Sequence, residues 1–202
     1  YWPSGSLQGS EALTAYVLSM TAESGWTIPD APKGRMIEAM KAVVEGRLRR
    51  ETAYPAAQLS LGAAALAAPA RNGAATPAMF GQIGLPPADM PTALLADWMT
   101  AINKTAGLAN APALRGEAER VLRTRLVYEG SRLDLVDAGT APWWMMVSGD
   151  ESALRALLAV IGRPGWDNEV PKMMVGAALR QRRGHWDTTP SNAWGSVAAR
   201  RF

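Results

Sequence analysis

Apolar residues along this chain recur at intervals of three and four, punctuated by polar caps, prolines and glycines. That period is the signature of amphipathic helices. The first predicted helix covers residues 10–24. Ser10 is placed to cap it, Glu11 suits its first turn and Gly25 ends it. Leu13, Val17 and Met20 share a face, with Tyr16 beside them. The second is predicted over 32–50, with Asp30 as its cap, Pro32 in its first turn and Met36, Ile37, Met40, Val43, Val44 and Leu48 as its stripe. An Ala-rich helix follows over 56–70, carrying Leu59, Leu61 and Leu66. So many small side chains predict close approach between helices. Pro69 should end or kink it, and Asn72-Gly73 should stop it.

Further helices are predicted to open at Thr76-Pro77 (Met79, Phe80), Pro91-Thr92 (Leu94, Leu95, Trp98, Met99, Ile102) and Asn110-Ala111-Pro112 (Leu114, Ala118, Val121, Leu122). One segment breaks the helical period. Residues 126–129, Gly130-Ser131 and residues 132–135 predict a small β-hairpin with a type II′ turn. Helices resume at about 143–147, 150–161 and 170–183, and from Pro190 onward. The 202 residues hold no long linker or low-complexity tract, so the prediction is a single all-α domain, 1–202, of helical hairpins with one β-hairpin near 126–135. Tyr1 in place of Met, and a stop at Phe202 a few residues into a helix-like run, lead us to expect a piece of a longer polypeptide.

Charge changes this picture little. Lys and Arg number 21 against 18 Asp and Glu, a net charge of +3, too small an excess to argue for nucleic acid. The runs Arg47/Arg49/Arg50 and Arg180/Arg182/Arg183 fall in predicted last helical turns, where cations complement the helix dipole; Arg200-Arg201 is a third run. Glu11, Asp30, Asp89, Asp150, Glu151 and Asp167 sit at or just before predicted N-termini. No stretch approaches the roughly 18 apolar residues of a membrane span, and the first residues lack the order of a signal peptide.

Candidate chemistry is sparse. The chain has no Cys, which excludes disulfides, a thiolate nucleophile and Cys-ligated metal. Its single His, His185, excludes a His-rich metal site. No phosphate-binding glycine motif and no Gly-x-Ser-x-Gly elbow occurs. His185 and Asp187 formally permit a Ser-His-Asp array, but a loop histidine used for packing or hydrogen bonding is the simpler reading. A glycosidase needs two carboxylates across a cleft; Asp134, Asp137, Asp167 and Asp187 are the candidates, each with a simpler place in a loop or cap. No catalytic residue, metal or cofactor is predicted.

The eight Trp are the remaining oddity. Trp26, Trp166 and Trp186 follow a Gly at a helix exit, directly or one residue later, and Trp143-Trp144 precedes a helix. Sugar or peptide binding is one reading of such indoles. The favoured one is mechanical: these five act as lids folded back over the core, because their positions repeat as a structural unit should. Met145-Met146 and Met173-Met174 fit ordinary core filling.

Several of these elements resemble the bacterial alpha-2-macroglobulin family, in the back part of its helical thioester domain. Trp2-Pro3-Ser4-Gly5 with Leu13-Thr14-Ala15-Tyr16-Val17-Leu18 is similar to the family's Trp-Pro-x-Gly and Leu-Thr-Ala-Tyr-Val stretch. Trp143-Trp144-Met145-Met146 resembles its Trp-Trp-Met-Met element. Gly184-His185-Trp186-Asp187-Thr188-Thr189 with Asn192-Ala193-Trp194-Gly195 resembles its last Gly-aromatic loop and following helix, and the hairpin has a counterpart in bacterial members. The resemblance implies an α/α toroid, partial or complete, serving as a non-enzymatic module of a multidomain protease inhibitor. There a protease cuts a bait region and a Cys-Gln thioester captures it. The partners implied are other domains of the parent chain, target proteases and a peptidoglycan synthase, with no nucleic acid and no direct membrane contact by this segment. The location implied is periplasmic, with a lipid-anchored parent guarding the envelope.

The departure concerns the covalent chemistry. The family's Cys-x-Glu-Gln motif is absent; it lies upstream of the Trp-Pro stretch. No His occurs in the stretch where some relatives carry one that assists acyl transfer; Tyr54 is the nearest polar aromatic there, and His185 lies in a different loop. Two alternatives are carried forward. A toroidal carbohydrate-active enzyme would place Trp143, Trp144 or Trp166 along an open cleft beside Asp134 or Asp187. A helical peptide-binding scaffold would show an exposed apolar groove.

Overall fold

Ser10 starts the first helix by accepting a hydrogen bond from the Leu13 N–H at 3.2 Å, and Gly25, at φ 73°, ends it. A left-handed residue at that point is what glycine supplies without steric cost. The computed structural model describes residues 9–49, 55–136 and 142–202, with the backbone alone at 55–58. Trp2-Pro3-Ser4-Gly5, Arg50, Tyr54 and Asp137 lie outside the described residues. The chain gathers into two compact units: Tyr1–Pro86 with Thr100–Arg115, and Pro87–Met99 with Gly116–Phe202. The structure is mostly helical, with a single two-stranded antiparallel hairpin among the described residues.

The first unit is built on α1 (Glu11–Ser24), α2 (Asp30–Val44) and α3 (Pro55–Arg71), each packed against the other two. α3 buries an almost continuous alanine surface: Ala63, Ala65, Ala67 and Ala68 are wholly enclosed, with Leu66 among them. This changes which face of α1 turns inward. Thr14, Ala15, Leu18 and Ser19 are buried with Met20, whereas Leu13 and Val17 are only half-buried. Small residues on both helices let the backbones approach, so the Ala/Ser face of α1 meets α3. Arg71 then locks the pair, donating to Glu23 Oε1 (2.8 Å) and Ser19 Oγ (3.3 Å), with both charged side chains about 95% enclosed. α3 runs through Pro69 and stops at Asn72-Gly73, Gly73 having φ 70°. α4 (Pro77–Phe80) is a single turn that buries Met79 and Phe80.

α2 is shorter than predicted. Asp30 lies in its first turn rather than capping it, and Pro29 holds the cap position without a side-chain bond. The helix ends at Val44 because Gly46 (φ 71°) turns the chain back, and Leu48 N–H bonds the Ala42 carbonyl. Leu48 therefore leaves the apolar stripe and is exposed. Arg47 and Arg49 fall beyond the helix, so the dipole account does not apply to them; Arg47 pairs with Glu45.

α5 (Thr92–Lys104) and α6 (Ala111–Thr124) each contribute residues to both units. The second unit takes the N-terminal part of α5 and the C-terminal part of α6. It adds β1 (Leu126–Glu129), β2 (Arg132–Leu135), α7 (Gly149–Val160), α8 (Val170–Leu179) and α9 (Thr189–Arg201). The hairpin pairs Leu126 with Leu135 and Glu129 with Arg132. Gly130 alone takes positive φ in its turn (64°), as type II′ requires. β2 buries Leu133 and Leu135 against α8, while β1 leaves Val127 and Tyr128 exposed. α7 packs on α8 and α9.

The predicted helix at 143–147 is one 3-10 turn, Trp143–Met145, closed by Met146 at φ 64°. α8 stops at Leu179, because Arg183 (φ 56°) and Gly184 (φ 83°) fold the chain into a tight turn bridged by Arg182 and His185. Arg182 and Arg183 are thus exposed loop residues, outside the reach of a helix dipole. Among the described residues, no helix is long and apolar enough to cross a membrane.

Candidate functional site

The N-terminus of α7 brings together Ser148, Asp150, Asp187 and Ser191. Ser148 caps it, accepting from Glu151 N–H at 3.1 Å, and its hydroxyl donates to Asp187 Oδ1 at 2.9 Å. Ser191, in the first turn of α9, donates to the same carboxylate oxygen at 2.9 Å. Thr188 caps α9, accepting from Ser191 N–H at 3.2 Å. Asp187 is therefore a junction between two helix starts. Its carboxylate accepts both hydroxyl hydrogens on one oxygen. His185 is exposed, with Nδ1 2.9 Å from the Trp186 carbonyl. A carbonyl only accepts, so that nitrogen carries the proton and bonds locally.

Beside this junction, Asp150 Oδ2 accepts the Asp187 N–H (3.1 Å), and Asp150 Oδ1 faces Arg180 Nη1 at 3.5 Å. Arg180 grips Asp134 Oδ1 through Nε (2.8 Å) and Nη2 (2.6 Å), and Nη2 also reaches the Leu135 carbonyl. Asp134 thus joins β2 to the end of α8. Asp167 is exposed in the loop before α8, and Asp137 lies outside the described residues.

Beneath these contacts, α5 and α7 enclose three ionisable side chains. Arg155 donates to Asp97 through Nη2 and to Glu151 Oε1 through Nη1, the latter at 2.9 Å. Their side chains are 8%, 3% and 2% exposed, so solvent screens this triad very little. The Arg155 guanidinium also lies 5.4 Å from the Trp194 ring. Burial pushes the Glu151 carboxyl above its ordinary range; Arg155 pulls it down and Asp97 pushes it further up. Burial opposes the charge on Arg155, but Asp97 and Glu151 more than offset this, so the guanidinium stays protonated. Sequence reading assigned Glu151 to a helix dipole and passed over Asp97 and Arg155. The available signal was a lone charge inside each apolar run, Asp97 between Ala96 and Trp98 and Arg155 between Leu154 and Ala156.

The five marked indoles divide. Trp166 is fully buried under Arg123, whose guanidinium carbon stands 3.8 Å from the ring centroid while Nη2 donates to the Gly165 carbonyl at 2.7 Å. Trp186 is buried, with Nε1 donating to the Ala177 carbonyl at 2.8 Å. Trp26 and Trp143 do not fold back: they are 70% and 81% exposed, and Trp144 is 38% exposed. The lid expectation is corrected for these three. A left-handed glycine redirects the backbone, and Trp26 N–H does return to the Thr21 carbonyl, but that bond leaves the indole's direction to tertiary packing.

None of these exposed indoles borders the depression found among the described residues. The described depression is shallow and open, along α6, bordered by Gly116, Glu119, Arg120, Arg123 and Thr124. Among the described residues, no group of three or more His, Cys, Asp or Glu is arranged to hold a metal ion.

No protein-family model matches the sequence, and no curated protein matches it. Solved structures do. The chain is similar to trypsin-activated alpha-2-macroglobulin from Escherichia coli, with a TM-score of 0.66 and 17% identity over 96% of this chain and 13% of that one. It is similar to native alpha-2-macroglobulin from Escherichia coli spanning domain MG7 to the C-terminus, with a TM-score of 0.66 and 16% identity over 96% of this chain and 30% of that one. The native conformation of that protein seen by cryo-electron microscopy gives a TM-score of 0.65 and 18% identity over 96% of this chain and 12% of that one. The chain therefore spans a small part of each structure it matches. At such identities the likeness is one of fold, and it falls on the family that the end motifs resemble.

Proposed function

We propose that this chain is a non-catalytic segment of the thioester domain of a bacterial alpha-2-macroglobulin-like protease inhibitor, part of an α/α toroid. The observation that carries this reading is the fold likeness over 96% of the chain. It is supported by the Trp-Trp-Met-Met element and by the Gly-aromatic loop feeding α9. The TM-score is 0.66 against both the trypsin-activated protein and the native MG7-to-C-terminus structure.

In this role the segment contributes surface and rigidity rather than a reacting group. Asp134, Asp187 and His185 hold loops and helix starts together. The neighbouring domains of the parent chain are its direct partners. The parent traps proteases at the cell envelope, in the periplasm and with a lipid anchor, and works beside a peptidoglycan synthase.

Incubating the parent polypeptide with trypsin tests this reading. We expect limited cleavage outside this segment, a change in hydrodynamic radius, and a trypsin that still cleaves a small peptide substrate but no longer a large protein. Complete digestion of the parent, with undiminished trypsin activity on the large protein, would overturn it.

A further inference from the structure

We propose that the outer edge of β1 docks an extended segment of another polypeptide, running antiparallel to it, with an acidic residue opposite Tyr128 and an apolar residue opposite Leu126. Register comes first. Val136 N–H donates to the Arg125 carbonyl at 3.0 Å, so these two residues form a hydrogen-bonded pair. Such pairs alternate along an antiparallel ladder. Val127 with Asp134 and Glu129 with Arg132 are the next ones, so Leu126 and Tyr128 direct their N–H and C=O groups away from β2. Among the described residues, no hydrogen bond reaches those four groups.

The two edges of the hairpin differ. On β2 the Leu133 carbonyl abuts the bare backbone of Gly176, so α8 covers that side. β1 pairs with β2 alone, and its Val127 and Tyr128 are exposed. Sheets protect an open edge with proline, an inward-pointing charge or a bulge. From Leu126 to Tyr128 there is none: the residues are Leu-Val-Tyr and the register is unbroken. Main-chain groups presented at alternate positions of an unguarded edge are what strand addition uses.

Charge selects the occupant. Lys172 Nζ lies 5.0 Å from the centroid of the Tyr128 ring and makes no ion pair among the described residues. The acids of the hairpin are committed elsewhere, Glu129 to Arg132 and Asp134 to Arg180. A carboxylate on an incoming strand, opposite Tyr128, would stand beside this unmatched ammonium. A second copy of β1 cannot supply it. Antiparallel pairing through the outward-facing residues of both copies sets Tyr128 against Thr124, Leu126 or Tyr128. None of these is acidic, and the last brings two Lys172 side chains together.

Amide hydrogen exchange on the whole chain, read by NMR, tests the edge. Without peptide, the Leu126 and Tyr128 amides should exchange faster than those of Val127 and Glu129. Protection of Leu126 and Tyr128 that grows with protein concentration would mean that a second copy fills the edge, and would overturn the proposal. The capped peptide Glu-Thr-Val-Thr-Val, at millimolar concentration, should then protect Leu126 and Tyr128. Lys-Thr-Val-Thr-Val should bind about two- to fivefold more weakly, the scale of an exposed ion pair, and Lys172→Glu should reverse that order. Tyr128→Pro removes an outward N–H and leaves the ladder bonds in place, so it should abolish protection of Leu126. Should that variant not fold, N-methylation of the peptide's central valine, which faces Leu126, should abolish binding instead. No protection by the acidic peptide, equal binding of the two peptides, or binding indifferent to Tyr128→Pro and to N-methylation would each sink the proposal.

Discussion

The Trp186 ring lies directly against the bare backbone of Gly195, close enough that a Cβ at 195 would overlap three of its ring carbons. The indole cannot step aside, since its Nε1–H is committed to the Ala177 carbonyl and its backbone N–H to Asn192 Oδ1. In an ordinary helix interior, Gly→Ala is worth about 1 kcal/mol of stabilisation. Here the overlap should win, because forcing extra volume into a packed core costs about 1–3 kcal/mol. We expect Gly195→Ala to lower the urea midpoint. A raised midpoint would show that the ring is not seated there.

Gly176 presents a harder version of the same constraint. A Cβ at 176 would collide with the Leu133 carbonyl oxygen, a backbone atom in β2 rather than a movable side chain. Either the hairpin or α8 must shift. Gly176→Ala should cost at least about 2 kcal/mol. Hydrogen exchange at the Leu133 and Leu135 amides should accelerate more than at α7 amides. Uniform acceleration throughout the unit would mean that the contact does not hold the hairpin to α8 in particular.

These constraints explain which parts of the fold were legible. Ser10, Gly25 and Gly130-Ser131 act through hydrogen bonds and φ values set within a few residues, so the first helix and the hairpin could be placed from local chemistry. The over-long α2 and α8 failed on the same kind of signal, misjudged. Gly46 lies within the predicted span of α2 yet takes a left-handed conformation, and α8 ends at Leu179, ahead of the left-handed Arg183-Gly184 turn. The indoles failed for a different reason. Gly25-Trp26 and Gly165-Trp166 look alike as dipeptides, but Trp166 has Arg123 stacked over it, an arrangement that no local rule encodes. The charge triad joins residues 58 apart, Asp97 and Arg155, so only their oddness within apolar runs was visible.

The division among the indoles can be read by fluorescence. Trp26 and Trp143 are the most exposed of the five, so acrylamide should reach them first. Trp26→Phe and Trp143→Phe should each remove part of the readily quenched emission, and Trp166→Phe should remove almost none. If the Trp26 and Trp143 variants left the quenchable fraction unchanged, these indoles would be covered in solution and the lid reading would be restored for them.

Arg155 is the member of the triad whose loss should matter most. Replacing it by Met leaves Asp97 and Glu151 as two enclosed carboxylates without their cation. Breaking a buried ion pair from one side costs about 3–5 kcal/mol. Adding Glu151→Gln to Arg155→Met replaces an acid that has lost its donor by a neutral amide, so the double variant should recover part of the loss. The expected coupling is about 1–3 kcal/mol in a double-mutant cycle at neutral pH. Its sign is diagnostic: a favourable coupling means that Glu151 acts through its charge on the Asp97–Arg155 pair. Strict additivity would mean that Glu151 and Arg155 stabilise the unit independently, and that the contact between them carries no energy of its own.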